Sequence, residues 1–267
     1  MQKVVLITGA SSGIGKAIAE FLNSKGYIVY GTSRNPEKIK NVSFKVVTLD
    51  VLNVDSIHKA VGIILAHEQR IDVVINNAGK GITGPIEDTP TIEMKANFDT
   101  NFYGPIELMK AVLPQMRKQQ SGKIINVTSI AGYMGLPYRG VYSASKGALE
   151  LITEAISMEV KEFGIDVINV APGDFATNIA SGRYHTPVFE DSAYKKKYAE
   201  NLALMDAHVT SGADPIIMAK AIQRIIESKQ NKIHYKVGGF MEKFSIVLKR
   251  ILPDRIYEKL LMNHYKL

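Results

Sequence analysis

The strongest constraint on this chain is a glycine-rich stretch set between an apolar run and an amphipathic one. Lys3-Val4-Val5-Leu6-Ile7 leads directly into Thr8-Gly9-Ala10-Ser11-Ser12-Gly13-Ile14-Gly15, and Lys16 to Leu22 then carries apolar residues at helical period. So short and apolar a run reads as a strand buried on both faces. Gly9, Gly13 and Gly15 let the backbone turn tightly and approach a pyrophosphate, which the N–H groups and positive end of the following helix would face. A glycine-rich turn by itself also fits a plain structural loop; its strand and helix flanks favour the phosphate cradle.

Further apolar runs alternate with helical stretches along the chain. Strands are predicted at 3–7, Tyr27–Gly31, Phe44–Thr48, Val73–Asn76, Lys123–Thr128, Asp166–Val170 and Lys232–Val237. Strands this apolar imply a parallel sheet with helices on both faces. The 267 residues, 46% hydrophobic and 22% charged, suffice for one large core. No linker, repeat or low-complexity tract divides them, so a single domain over 1–267 is expected. In such sheets ligands sit beyond the carboxyl ends of the strands. The glycine loop follows the first strand, Asn76-Asn77-Ala78-Gly79 the fourth, Ser129 the fifth and Pro172-Gly173 the sixth, so these separated residues converge on one crevice.

Tyr142 and Lys146 stand four apart in Tyr-Ser-Ala-Ser-Lys. One turn of helix puts both on one face, and a cation beside a phenol favours its ionised form, as an acid or base near neutral pH requires. The spacing alone is undemanding and also suits a solvated helix; the neighbouring motifs give it weight.

Together these features resemble the classical short-chain dehydrogenase/reductase family across nearly the whole chain. The family's TGxxxGxG falls on Thr8 to Gly15, its NNAG on Asn76 to Gly79, and its catalytic Asn, Ser, Tyr and Lys on Asn101, Ser129, Tyr142 and Lys146. The resemblance implies a single-domain Rossmann fold with a doubly wound, seven-stranded parallel sheet, and an oxidoreductase that interconverts a carbonyl and an alcohol. Tyr142 would move the proton, Ser129 fix the substrate oxygen, Lys146 hold the nicotinamide ribose and Asn101 place a relaying water. Cofactor contacts are implied for Gly9, Ser11, Ser12, Gly13, Ile14, Gly15, Asn77, Ala78, Gly79, Tyr142, Lys146, Pro172, Gly173 and Thr177. Asp50 and Val51 would lie at the adenine, although Asp50 equally suits capping of the helix near Asp55-Ser56.

The second strand ends in Gly31-Thr32-Ser33-Arg34, without the acidic residue that would bind an adenosine ribose and repel a 2′-phosphate. Arg34 offers a planar fork and Ser33 a hydroxyl to such a phosphate, while Glu37 lies too far along to interfere. NADP(H) is therefore expected in preference to NAD(H), although Arg34 also reads as an exposed loop charge. No metal site is expected, because the six histidines show no ligand spacing. The chain has no cysteine, so disulfide and thiolate chemistry are excluded.

The net charge of +7 suits anionic partners, but no nucleic-acid motif accompanies it. With no export signal or membrane span, a cytoplasmic protein is expected. By the family's pattern, residues 178–213 form a substrate-binding lid, and Met134, Leu136, Tyr138 and Tyr184 offer an apolar pocket for a lipophilic carbonyl compound. The extension 240–267 repeats Phe244, Val247, Leu248, Ile251 and Leu252 at helical spacing, then resumes after Pro253-Asp254 with Ile256, Tyr257, Leu260 and Leu261. Packing on the chain itself or at a subunit interface is expected of this stripe ahead of peripheral membrane contact. The tail and Thr32 to Asn35 look similar to the hydroxysteroid and retinol dehydrogenase branch. A homodimer or homotetramer is implied by the family. The alternative function is a non-catalytic NADP(H)-binding regulator or redox sensor.

Overall fold

The computed structural model describes residues 1–176, 182–210 and 212–267, with residues 208–210 described by their backbone alone. In chain order the elements are β1 (Val4–Ile7), α1 (Gly13–Ser24), β2 (Ile28–Ser33), β3 (Lys45–Thr48), α2 (Val54–Glu68), β4 (Val73–Asn76), β5 (Ile82–Thr83), α3 (Thr91–Phe98), α4 (Gly104–Gln119), β6 (Gly122–Val127), α5 (Gly140–Glu159), β7 (Ile165–Pro172), β8 (Tyr184–His185), α6 (Lys195–Thr210), α7 (Pro215–Glu227), β9 (His234–Val237), α8 (Phe240–Ile251) and α9 (Asp254–His264). Seven strands form one parallel sheet in the order β3-β2-β1-β4-β6-β7-β9. Strand order reverses between β1 and β4, and the crevice at such a switch point is where a doubly wound sheet takes its ligand.

Alternation along the strands builds two cores. Val5 and Ile7 of β1 pack with Ile18 and Leu22 of α1 and Met218 and Ile222 of α7 on one face. Val4 and Leu6 pack with Ile57 and Ile64 of α2 and Leu108 and Met116 of α4 on the other. The predicted strands match in number and place. The sixth runs on to Pro172, because Ala171 and Pro172 pair with Lys236 and Val237 of β9.

Two features escape the sequence pattern. β5 and β8, two residues each, pair in parallel as a separate small ladder. The C-terminal helices fold back onto the turn after Ser129, where Ile246 and Tyr257 are buried with Ile130, Met134 and Ala171. The predicted apolar stripe turns inward only in part: Tyr257 is buried in this cluster and Leu248, Leu252 and Leu261 pack against it, whereas Phe244, Val247, Ile251, Ile256 and Leu260 are exposed. Glu242 sets this rotation, its carboxylate accepting from the N–H groups of Gly239 at 2.6 Å and of Asp174 at 2.7 Å. Among the described residues no helix is long and apolar enough to cross a membrane.

Candidate active site

The cradle is held at the switch point by Thr8, which follows β1. Its hydroxyl accepts from the N–H groups of Asn77 and Ala78, both at 3.0 Å, and the Asn77 side chain donates to the carbonyls of Thr8 and Gly9 at 3.0 and 3.2 Å. The loop after β1 is thereby stapled to the loop after β4. Gly9 and Gly13 take left-handed backbone, φ +67° and +54°. A Cβ on Gly15 would collide with the carbonyl oxygen of Gly9 and the amide of Asn77, so a side chain there is excluded. Ser12 precedes α1 without spending its side chain on the helix, and Ser11 and Ser12 are exposed beside the cradle.

Across the crevice, α5 begins at Gly140, so Tyr142 lies in its first turn and Lys146 in its second, on one face. Lys146 is buried and its ammonium donates to the carbonyl of Val127 at 2.9 Å. Burial pushes the Lys146 pKa down to about 8, against the opposing pull of the Glu150 carboxylate. Glu150 itself is pushed up to about 7 by burial, although hydrogen bonds from Thr128 and Tyr133 act the other way. Ser129, two residues beyond β6, has its hydroxyl oriented by accepting the Ala131 N–H at 3.1 Å.

Asn101 sits in a π-helical turn, Asp99–Tyr103, that joins α3 to α4. Its side chain accepts from the Lys80 N–H at 2.8 Å and donates to the Lys80 carbonyl at 2.9 Å, with Asn97 and Ser145 at 3.2 and 3.1 Å. With these partners Asn101 is a strut that ties the loop after β4 to α5. The sequence reading missed Asn97 and Ser145; the signal was there in Asn97 and Asn101, spaced one helical turn apart. A Cβ on Gly79 would stand 3.2 Å from Asn101 Oδ1 and 3.5 Å from Lys146 Nζ, so this loop, the π-helical turn and α5 meet at one point.

A cavity opens over this junction. Ser129 and Tyr142 line it with Ile14 of the cradle, Pro172 and Gly173 after β7, and Ile82 and Phe175 as apolar walls. Met134, Leu136, Tyr138 and Tyr184, the side chains expected to make an apolar pocket, do not line it. Met134 is buried against Tyr257, whose hydroxyl meets its sulfur at 2.7 Å, and the Tyr138 ring packs on Tyr198. In their place the cavity carries Arg139 and Arg183, together with Asp174.

At the end of β2, Arg34 is exposed, and Ser33 accepts the Asn35 N–H at 3.1 Å, leaving its own proton to donate. Asp50 does not cap α2. Asn53 does, accepting the Ser56 N–H at 2.9 Å, while the Asp50 carboxylate accepts from Leu52 N–H at 3.0 Å. Val51 packs beside Gly104 at the start of α4. Thr177 and residues 178–181 of the expected lid lie outside the described residues. Residue 211 of the lid lies outside them too; of the described lid residues Tyr198 and Met205 are buried, whereas Phe189 is exposed.

A family profile described as short chain dehydrogenase matches residues 3–187. The chain is 41% identical to a 3-ketodihydrosphingosine reductase of Bacteroides thetaiotaomicron, over 98% of each chain. Among solved structures, a short-chain dehydrogenase from Streptomyces avermitilis superposes with a TM-score of 0.83 at 32% identity, covering 99% of this chain and 97% of that one. ElxO with NADP bound superposes with a TM-score of 0.70 at 27% identity, covering 89% and 97%. The fold agrees with these matches, and the chain is an oxidoreductase belonging to the short-chain dehydrogenase/reductase family.

Proposed function

We propose that this protein is an NADP(H)-dependent carbonyl reductase, interconverting a carbonyl and an alcohol on a substrate that is lipophilic over part of its length. The observation that carries this reading is the cavity in which Ser129 and Tyr142 meet Ile14 of the cradle and Pro172-Gly173. A dinucleotide suits the residues present, since glycines keep the loop after β1 tight and its backbone bare: Gly9 and Gly13 take left-handed backbone, and a Cβ on Gly15 would collide with the Gly9 carbonyl. Residues 9 and 11–15, Asn77 to Gly79, Asp50 and Val51 would hold it. The dinucleotide, when bound, supplies or takes up the hydride.

This chain's own residues would manage the proton and the oxygen. Tyr142 donates a proton to the substrate oxygen in reduction and removes it in oxidation. Ser129, already oriented by Ala131, donates a second hydrogen bond to that oxygen. Lys146 reaches the ribose hydroxyls from its place against Val127, and Asn101 acts by holding the loop and α5 together.

Arg34, exposed and with no carboxylate of a described residue at ion-pairing distance, supports the 2′-phosphorylated dinucleotide over its unphosphorylated form, and ElxO, 27% identical, was solved with NADP bound. A homo-oligomer built through α4 and α5 is supported by Leu151 and Met158, seven residues apart on α5 and 68% and 71% exposed.

The test is oxidation of NADPH and NADH by the purified protein against aliphatic, aromatic and acyl ketones. Turnover with NADPH is expected, and Tyr142→Phe should lower it by about 10²–10⁴-fold while NADPH still binds. Tight NADPH binding with no turnover on any ketone would favour the sensor reading instead.

A further inference from the structure

The two arginines of the cavity arrive there by different routes. Arg183 precedes β8, and the β5·β8 ladder fixes its backbone: the Tyr184 N–H donates to the Gly81 carbonyl at 3.0 Å and the Thr186 N–H to the Thr83 carbonyl at 2.9 Å. Its stem lies flat on Gly81, where a Cβ would stand 2.9 Å from the Arg183 Cγ. The Arg183 side chain is only 5% exposed, and among the described residues its one ion pair is to Asp206 at 3.3 Å, a carboxylate 47% exposed. Arg139 stands immediately before α5, three residues before Tyr142. Its guanidinium lies over the Tyr142 ring at 5.4 Å. The residue before it, Tyr138, is held at φ +57°, a conformation that a bulky residue adopts only at a cost.

Two guanidiniums in one cavity oppose each other, and the pKa of Arg183 is lowered by burial and then by Arg139, with Asp206, Tyr142 and Asp174 acting in the opposite sense. No carboxylate of a described residue lies within ion-pairing distance of Arg139. A buried guanidinium is costly unless its donors are matched by acceptors, and paired guanidiniums match the oxygens of a carboxylate or phosphate. A ligand anion held by Arg139 would also lie beside the Tyr142 phenol.

We infer that Arg139 and Arg183 form an oxyanion clamp, so that the carbonyl substrate carries an acidic group, a carboxylate or phosphoryl, held by this pair while its carbonyl meets Ser129 and Tyr142. This inference rests on the oxidoreductase reading for its carbonyl, but the clamp itself can be read without turnover.

The test uses a γ-oxo fatty acid, its methyl ester and its phosphonate analogue at equal chain length, each with NADPH. The acid or the phosphonate should exceed the ester in kcat/KM by about 10-fold or more, the worth of one charge-assisted pair. Arg139→Gln and Arg183→Gln should each collapse that ratio; a merely structural defect would lower acid and ester alike. The saturated fatty acid should quench the fluorescence of the NADPH complex in the native protein and not in either variant. Equal use of acid and ester overturns the clamp and leaves the reductase reading standing. Loss of NADPH affinity in the variants as large as the loss of acid affinity also overturns it, assigning the arginines to the cofactor. Arginine-dependent quenching with no ketone reduced would keep the clamp and remove the reductase. Arg139 is only half-buried, so Arg139→Gln still tests the clamp where Arg183→Gln fails to fold.

Discussion

At the cradle the chain presents backbone to the crevice, and at the arginine end of the cavity it presents side chains. Gly9, Gly13 and Gly15 lie within eight consecutive residues, closed by Thr8 and Asn77. Ser129, the Arg139 and Tyr142 pair at the start of α5, and Arg183 come from three separate segments, brought together by the sheet, α5 and the β5·β8 ladder. A surface of backbone tolerates no added atom. A surface of side chains can yield, but it must then bury charge.

The largest expected effect tests the first half of that contrast. Gly15→Ala should cost about 3 kcal/mol or more, the upper range of overpacking, because its Cβ meets the Gly9 carbonyl and neither backbone can withdraw. NADPH affinity should fall with it by about 100-fold. For Gly173→Ala, across the crevice, the nearest atoms the Cβ would meet all belong to the end of the flexible Glu242 side chain. Moving that carboxylate gives up its bonds from Gly239 and Asp174, about 1–2 kcal/mol together. Thermal denaturation and NADPH titration of both variants would measure the difference. Equal losses would show that the two halves are not built differently.

That contrast also decides what could be read from the sequence. The sheet was legible because strands buried on both faces are continuous apolar runs, and the cradle because glycine spacing is local. β5 and β8 were not, since two residues have no period. The orientation of α8 was legible only in part: Leu248 and Leu252 of the expected stripe turn inward, but Phe244, Val247 and Ile251 satisfy the same helical period and do not, while the buried Ile246 stood outside it. The choice between them is made by Glu242 reaching Asp174, 68 residues away in sequence. Isolated arginines carry no pattern, whereas the apolar character of Met134 and Tyr138 suggested a pocket that they do not line and that Arg139 and Arg183 do. Thr8 and Asn77 stood inside a legible motif, but their mutual hydrogen bonds are a fact of packing.

The charge-burying half should carry the pH dependence. Glu150 is raised from 4.5 to about 7 in the folded protein. The folded state therefore holds more protons than the unfolded one across that window, and stability contributed by this group falls as pH rises from about 4.5 to 7. Glu150→Gln removes the loss while keeping an acceptor for the Thr128 hydroxyl, 3.0 Å away. Its stability relative to the native protein should climb through that window and level off above it, by at most about 3 kcal/mol. Denaturant midpoints at acid and neutral pH would show this. A difference independent of pH would mean that Glu150 titrates alike in the folded and unfolded protein, so that burial does not raise it.

The smallest effect is expected where the cradle half resorts to a side chain. Arg34 is exposed, so its bond to a 2′-phosphate forms in water and is worth less than a buried pair. Arg34→Ala should weaken NADPH by about 10-fold, near 1.4 kcal/mol, and leave NADH nearly unchanged, because only the phosphorylated cofactor offers the guanidinium a partner. The ratio of the two dissociation constants is the quantity to measure, since it cancels any general damage to the loop after β2. Equal weakening of both would remove Arg34 from cofactor choice and leave that choice to Ser33 and the backbone. It would also make the contrast between the two halves sharper, because the cradle would then bind its ligand with almost no charged side chain.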